Sequence, residues 1–197
     1  MSRVVHYRLH GASSEQLERV EQQFAALAGA REWRGDAPWV ATPRSPELFA
    51  MEYLRHVREE EGDGVSAAGF LRLAGDETDA LVLVVFLRDL SEEHGIRVSV
   101  RDEDHPLSKL RYLEFHGGRL PSGNSLEELL SRRGVNKKVD GRAITFYAPS
   151  HPLNAGRADE GVRWGYQVGG MRAFAPTLLE AEREALKILR ALRRLGS

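Results

Sequence analysis

The reading of Ala80–Leu87, ALVLVVFL, decides the fold. It is the longest apolar run of the chain, and its β-branched content suits a buried strand. Leu81, Val84, Leu87 and Leu90 nevertheless keep helical spacing, recurring every third residue. The run also continues through Ser91, Glu92, Glu93 and His94 before Gly95 stops it. We therefore expect a largely buried helix, capped by Asp76 or Thr78, with His94 in its last turn where a partial positive charge suits the helix dipole.

With a helix at that point, the strands must come from the flanking segments. Upstream, Val4, Tyr7 and Leu9 alternate imperfectly with Arg3, His6 and Arg8 as a first strand. Ser13 and Gln16 form a capping box for a helix with Leu17, Val20, Phe24 and Leu27 on one face, stopped by Gly29. Arg31 to Arg44 reads as an ordered loop holding Trp33, Gly35, Pro38, Trp39 and Pro43. Ser45-Pro46 reads as an N-cap followed by a first-turn proline, opening a helix to about Glu60. Val65 to Ala74 follows as a strand.

Downstream, Ile96, Val98 and Val100 alternate with Arg97, Ser99 and Arg101. Leu110, Tyr112, Leu113 and Phe115 lead into a Gly117-Gly118 turn. Ser125 and Glu128 cap a short helix ended by Gly134. Asp140-Gly141 is a hairpin signal before Ile144, Phe146 and Ala148. Pro149 to Gly161 is a loop. Val162, Trp164, Tyr166 and Val168 alternate, Gly169-Gly170 turns into Met171 to Phe174, and Thr177 with Glu180 caps a final helix. Its apolar face is Leu178, Ala181, Ala185, Ile188, Leu192 and Leu195.

The strands arrive mostly as hairpins, and no regular βαβ alternation supports a doubly wound parallel sheet. The expected class is α+β: a mainly antiparallel sheet of hairpins with about five helices packed on it. The 197 residues are read as one domain, 1–197, with a possible division into 1–121 and 122–197 at the loop near Pro121.

Composition removes several function classes. No cysteine is present, which excludes a disulfide scaffold, a thiolate metal site and a cysteine nucleophile. A net charge of −1 gives no global field toward nucleic acid or anionic lipid. The longest apolar run is too short to span a bilayer, and the N-terminal residues lack a signal-peptide hydrophobic region. A soluble, cytoplasmic protein without membrane contact is expected.

The densest polar cluster is Asp102, Glu103, Asp104 and His105, with Glu114 and His116 on the following strand. If the two strands pair, these groups come toward one end of the sheet, where carboxylates and imidazoles suit a divalent ion. No spacing matches a metal motif, however, and a solvated turn explains the cluster as well. The loop histidine His151, beside Ser150 and between two prolines, is held rigidly but reads as part of a turn. No G-x-S-x-G, P-loop or dinucleotide glycine pattern occurs. Trp33 and Trp39, two tryptophans in one irregular segment, have the makings of a binding hot spot.

These features favour a non-enzymatic binding protein acting on a protein partner, in an inhibitor, immunity-type or adaptor role. Its contact residues are Trp33, Trp39, Asp102, Glu103, Asp104 and His105. No catalytic residue, metal or other cofactor is assigned. The alternative is a metal-assisted hydrolase using Asp102, Asp104, His105, Glu114 and His116. A third, less favoured reading is nucleic-acid binding by the C-terminal strand-strand-helix unit, through Trp164, Tyr166 and the basic end of the last helix. In that reading the interleaved Glu180, Glu182 and Glu184 oppose phosphate.

Overall fold

A computed structural model of the chain describes residues 3–74, 77–102, 113–119, 134–149, 151–154 and 163–195. The class is α+β, with two antiparallel four-stranded sheets. Four α-helices are present among the described residues, against about five expected. The helix expected after Ser125 lies outside the described residues. The chain divides into two compact units, Met1–Gly75 with Leu83–Gly123, and Asp76–Val82 with Asn124–Ser197.

The first unit holds β1 (Arg3–His10), α1 (Ser14–Gly29), α2 (Leu48–Glu61), β2 (Val65–Leu73), most of α3 (Glu77–His94), β3 (Arg97–Asp102) and β4 (Leu113–His116). Its sheet runs β2-β1-β3-β4, antiparallel throughout. The period of two puts Val5, Tyr7 and Leu9 on one face, beside Val98, Val100, Leu113 and Phe115, and all of them are buried. The α1 face Leu17, Val20, Phe24 and Leu27 is buried too, and Tyr7 stacks on Phe24 with centroids 5.4 Å apart. Phe24 in turn meets Phe86 of α3 edge-on at 4.9 Å. Each such side chain contributes roughly 1.5–3 kcal/mol relative to exposure. Ala80–Leu87 is helical, as its spacing predicts.

The Ser13 and Gln16 capping box forms with both of its hydrogen bonds. The opening of α2 differs from expectation. Ser45 does not cap it, because Ser45 Oγ accepts the Thr42 backbone N–H at 2.9 Å and so closes a turn over 42–45. The helix starts at Leu48, with Glu47 as an N-cap residue that makes no side-chain capping bond. The loop before it guards the free edge of β2. Ala41 exchanges both backbone hydrogen bonds with Ala68, and the Asp36 N–H donates to the Arg72 carbonyl. Gly69 is required at the same edge, since a Cβ there would stand 2.3 Å from the Trp39 carbonyl oxygen and 2.5 Å from the Tyr7 ring.

The second unit holds β5 (Val135–Val139), β6 (Arg142–Tyr147), β7 (Trp164–Val168), β8 (Met171–Ala175) and α4 (Leu178–Leu195). The sheet is a meander in chain order. Asp140 (φ 49°) and Gly141 (φ 79°) make the two-residue turn between β5 and β6, where both positions need positive φ. Ile144, Phe146, Trp164, Tyr166 and Val168 are buried, as are Leu178, Ala181, Ala185 and Leu189 of α4. The helix face therefore departs from expectation: Leu189 is core, while Ile188 and Leu192 are only half-buried. Thr177 and Glu180 cap α4 as predicted.

Candidate functional site

The core stripe of α2 is Ala50, Leu54 and Val57, which joins Ala41, Val65 and Ala68 in one buried cluster. Leu48, Phe49 and Met51 fall outside that stripe, and they remain 66%, 61% and 43% exposed. The first turn of this helix thus carries more apolar surface than the fold uses. Phe49 lies against half-buried rings from three separate elements. Trp39 contacts Phe49 at 5.6 Å, Tyr53 at 5.5 Å and Phe70 edge-on at 5.1 Å, and Tyr53 meets Phe70 at 5.3 Å. An open cleft of about 580 Å³ runs beside these rings. Phe24, Ala25, Pro38, Trp39, Phe49 and Ala50 supply its apolar walls, and Glu21, Arg44 and Glu47 its polar edge.

The patch is held in position from behind. The Tyr7 hydroxyl donates to the Trp39 carbonyl, and burial pushes the Tyr7 phenol far above its ordinary range, so that donor stays protonated. Arg8 donates to the Tyr53 hydroxyl at 3.0 Å and lies over the Tyr53 ring at 5.6 Å. Burial also raises the Tyr53 phenol, with Arg8 opposing the shift. Thr42 Oγ1 bonds Glu21 across the cleft's edge, and Arg44 pairs with Glu18 at 3.1 Å.

Of the residues expected to contact a partner, Trp39 lies at the centre of this patch. Trp33 does not join it: its ring lies under Arg31 at 4.5 Å, and its indole N–H is buried without an acceptor among the described residues. Asp102 ends β3, opposite Val5. Glu103, Asp104 and His105 lie outside the described residues.

The register of β3 and β4 separates the members of the expected metal cluster that are described. Glu114 pairs with Ser99 and His116 with Arg97. Glu114 is thus three residues along from Asp102, and His116 five, or about 10 and 16 Å at ~3.3 Å per residue. Glu114 and His116 do share a face, 3.7 Å apart, but no group of three or more candidate ligands assembles among the described residues.

The sheet also builds a serine–histidine pair that local sequence could not signal. His10 Nε2 lies 3.1 Å from Ser99 Oγ, joining residues 89 positions apart. Its chemistry is decided by Arg97, which donates to His10 Nδ1 at 3.0 Å. A guanidinium can only donate, so Nδ1 accepts and the imidazole proton resides on Nε2. That N–H points at Ser99 and donates to it, leaving no lone pair to take the serine proton. Burial first and Arg97 second hold the His10 imidazole below its usual range, which keeps it neutral.

In the second unit, Trp164 and Tyr166 are core residues, not a presented aromatic face. His151 packs on Tyr147 at 4.7 Å, and its Nδ1 accepts the Leu153 N–H at 3.1 Å, so it locks a turn. Glu182, expected on the solvent side of α4, is buried, and it accepts a hydrogen bond from Lys137 Nζ at 2.8 Å.

Compared with known proteins, the chain matches no family model, no curated protein and no solved structure. No described helix is long and apolar enough to cross a membrane.

Proposed function

We propose that this chain is a binding protein whose first unit docks a protein partner on the aromatic patch of α2. The observation that carries the reading is the exposure of Phe49 against the half-buried Trp39, with the exposed Leu48 next to it on the helix. Contiguous exposed apolar surface beside a cleft is characteristic of an interaction site, and aromatic anchors concentrate binding energy. The wiring of His10 and Ser99 supports a binding role over nucleophilic chemistry at that pair.

The partner's chemistry follows from the patch and its surroundings. The cleft takes an aliphatic or aromatic side chain between Phe24 and Phe49, and Glu21 and Glu47 stand at its edge. The first unit, 1–75 with 83–123, carries 18 Asp and Glu against 15 Lys and Arg. An apolar segment flanked by basic residues fits both features.

The test is capture from a native extract with the tagged chain, run beside Leu48→Asp/Phe49→Asp and beside Arg55→Asp, an exposed change on the same helix. The reading expects a stoichiometric protein that is lost with the double variant and kept with Arg55→Asp. Equal recovery with all three chains would remove the patch from consideration.

A further inference from the structure

The overall charge of −1 conceals an asymmetry: the second unit, 76–82 with 124–197, carries 13 Lys and Arg against 11 Asp and Glu, a net +2, and the first unit a net −3. Such a difference between halves of a chain points to an anionic partner for the basic half. Much of the excess is on α4. At 100° per residue, Arg183, Lys187, Arg190 and Arg194 fall within about 60° of one another, along about 17 Å of helix. All four are exposed, on the side away from the buried Leu178, Ala181, Ala185 and Leu189.

The three glutamates of this helix do not spoil the ridge. Glu182 is buried against Lys137. Glu180 is taken up in the helix cap, accepting from Thr177 Oγ1 at 3.0 Å. Glu184 faces Lys187 at 2.6 Å and leaves Arg183 and Arg190 without an ion pair on α4 among the described residues. Nor does the helix dipole account for the charges. Its influence is confined to the last turn, where Arg193 and Arg194 stand, and Arg183, Lys187 and Arg190 precede it.

We propose that the α4 ridge is a second binding surface, and that it takes the phosphate backbone of a nucleic acid duplex. A line of cations is what a phosphate backbone needs, with no requirement for base contacts. A protein partner would call for an apolar anchor, and among the described residues none of the exposed large apolar side chains lies on α4. Insertion into a lipid surface would call for a free apolar helix face, and that face is core here.

The test is fluorescence anisotropy of the full chain with a fluorescein-labelled 20-base-pair DNA duplex of mixed sequence, between 50 and 200 mM NaCl. Three to four phosphate contacts predict a slope of about −3 to −4 in log affinity against log salt, a loss of roughly 100-fold across that range. Arg183→Glu/Arg190→Glu/Arg194→Glu weakens binding by roughly tenfold for each arginine reversed, while the corresponding lysine triple keeps it. Circular dichroism establishes that both triples fold. A slope shallower than about −1 in the unmodified chain overturns the proposal whatever the variants do. So does a glutamate triple that binds as tightly as the parent, and so does retention on phosphatidylserine vesicles or polyglutamate with the duplex left unbound.

Discussion

Lys137 of β5 and Glu182 of α4 meet inside the second unit at 2.8 Å, with side chains only 8% and 4% exposed. Lys137 is the cross-strand neighbour of Ile144, so this charge sits within an otherwise apolar sheet face. The pair joins β5 to the helix across 45 positions of sequence. Its attraction offsets a desolvation penalty of several kcal/mol per ion, so the effect of breaking it differs from the effect of removing it.

Lys137→Met removes the cation that lies 2.8 Å from a buried carboxylate, and is expected to lower stability by about 3 kcal/mol. Lys137→Met/Glu182→Leu is expected to recover most of that loss. Urea unfolding of the two variants checks this. A double variant as unstable as the single one would show that the pair itself holds the unit together.

Very little of this pair could be read in the sequence. Capping boxes at Ser13 and Thr177 are legible because both partners lie within one turn. Glu182 binds a residue 45 positions away, and a glutamate flanked by Glu180 and Glu184 looks like solvent-facing charge. Leaving it off the apolar stripe turned the inferred face of α4 toward Ile188 and Leu192 and away from the buried Leu189. The candidate patch was half legible for a related reason. Trp39 stood out as an aromatic in a loop, but Phe49, Tyr53 and Phe70 reach it only through the pairing of β1 with β2 and the seating of α2.

Phe49→Asp is expected to leave stability within about 0.5 kcal/mol of the parent, since the side chain lies mostly in solvent. Thermal unfolding measures it. A fall of several degrees would mean that Phe49 serves packing, and the patch would lose its main claim to be a contact surface.

Gly69→Ala is expected to destabilise the first unit by about 1–3 kcal/mol, because the new methyl enters the Tyr7 ring and the Trp39 carbonyl. It should also disturb the Trp39 ring, which near-ultraviolet circular dichroism reads directly. An unchanged Trp signal with unchanged stability would contradict the close approach.

His10 should titrate below its ordinary value of 6.5, from burial first and Arg97 second. The unfolded chain then takes up this proton at a higher pH than the folded one. As pH falls below 6.5, the fold therefore loses stability until the folded group also protonates. Proton NMR of the imidazole follows the titration. Arg97→Gln should raise the midpoint, yet leave it below 6.5 because burial persists. A midpoint above 6.5 in the parent would contradict the neutral, Nε2-protonated imidazole.

Light-activated cross-linking in native extract, with benzoylphenylalanine placed at Glu52 beside the exposed turn of α2, tests the central claim most directly. The account predicts one dominant protein adduct whose linked peptide carries apolar residues flanked by Lys or Arg, and its loss in the Leu48→Asp/Phe49→Asp background. No adduct at Glu52, or an adduct that survives those two substitutions, would contradict it.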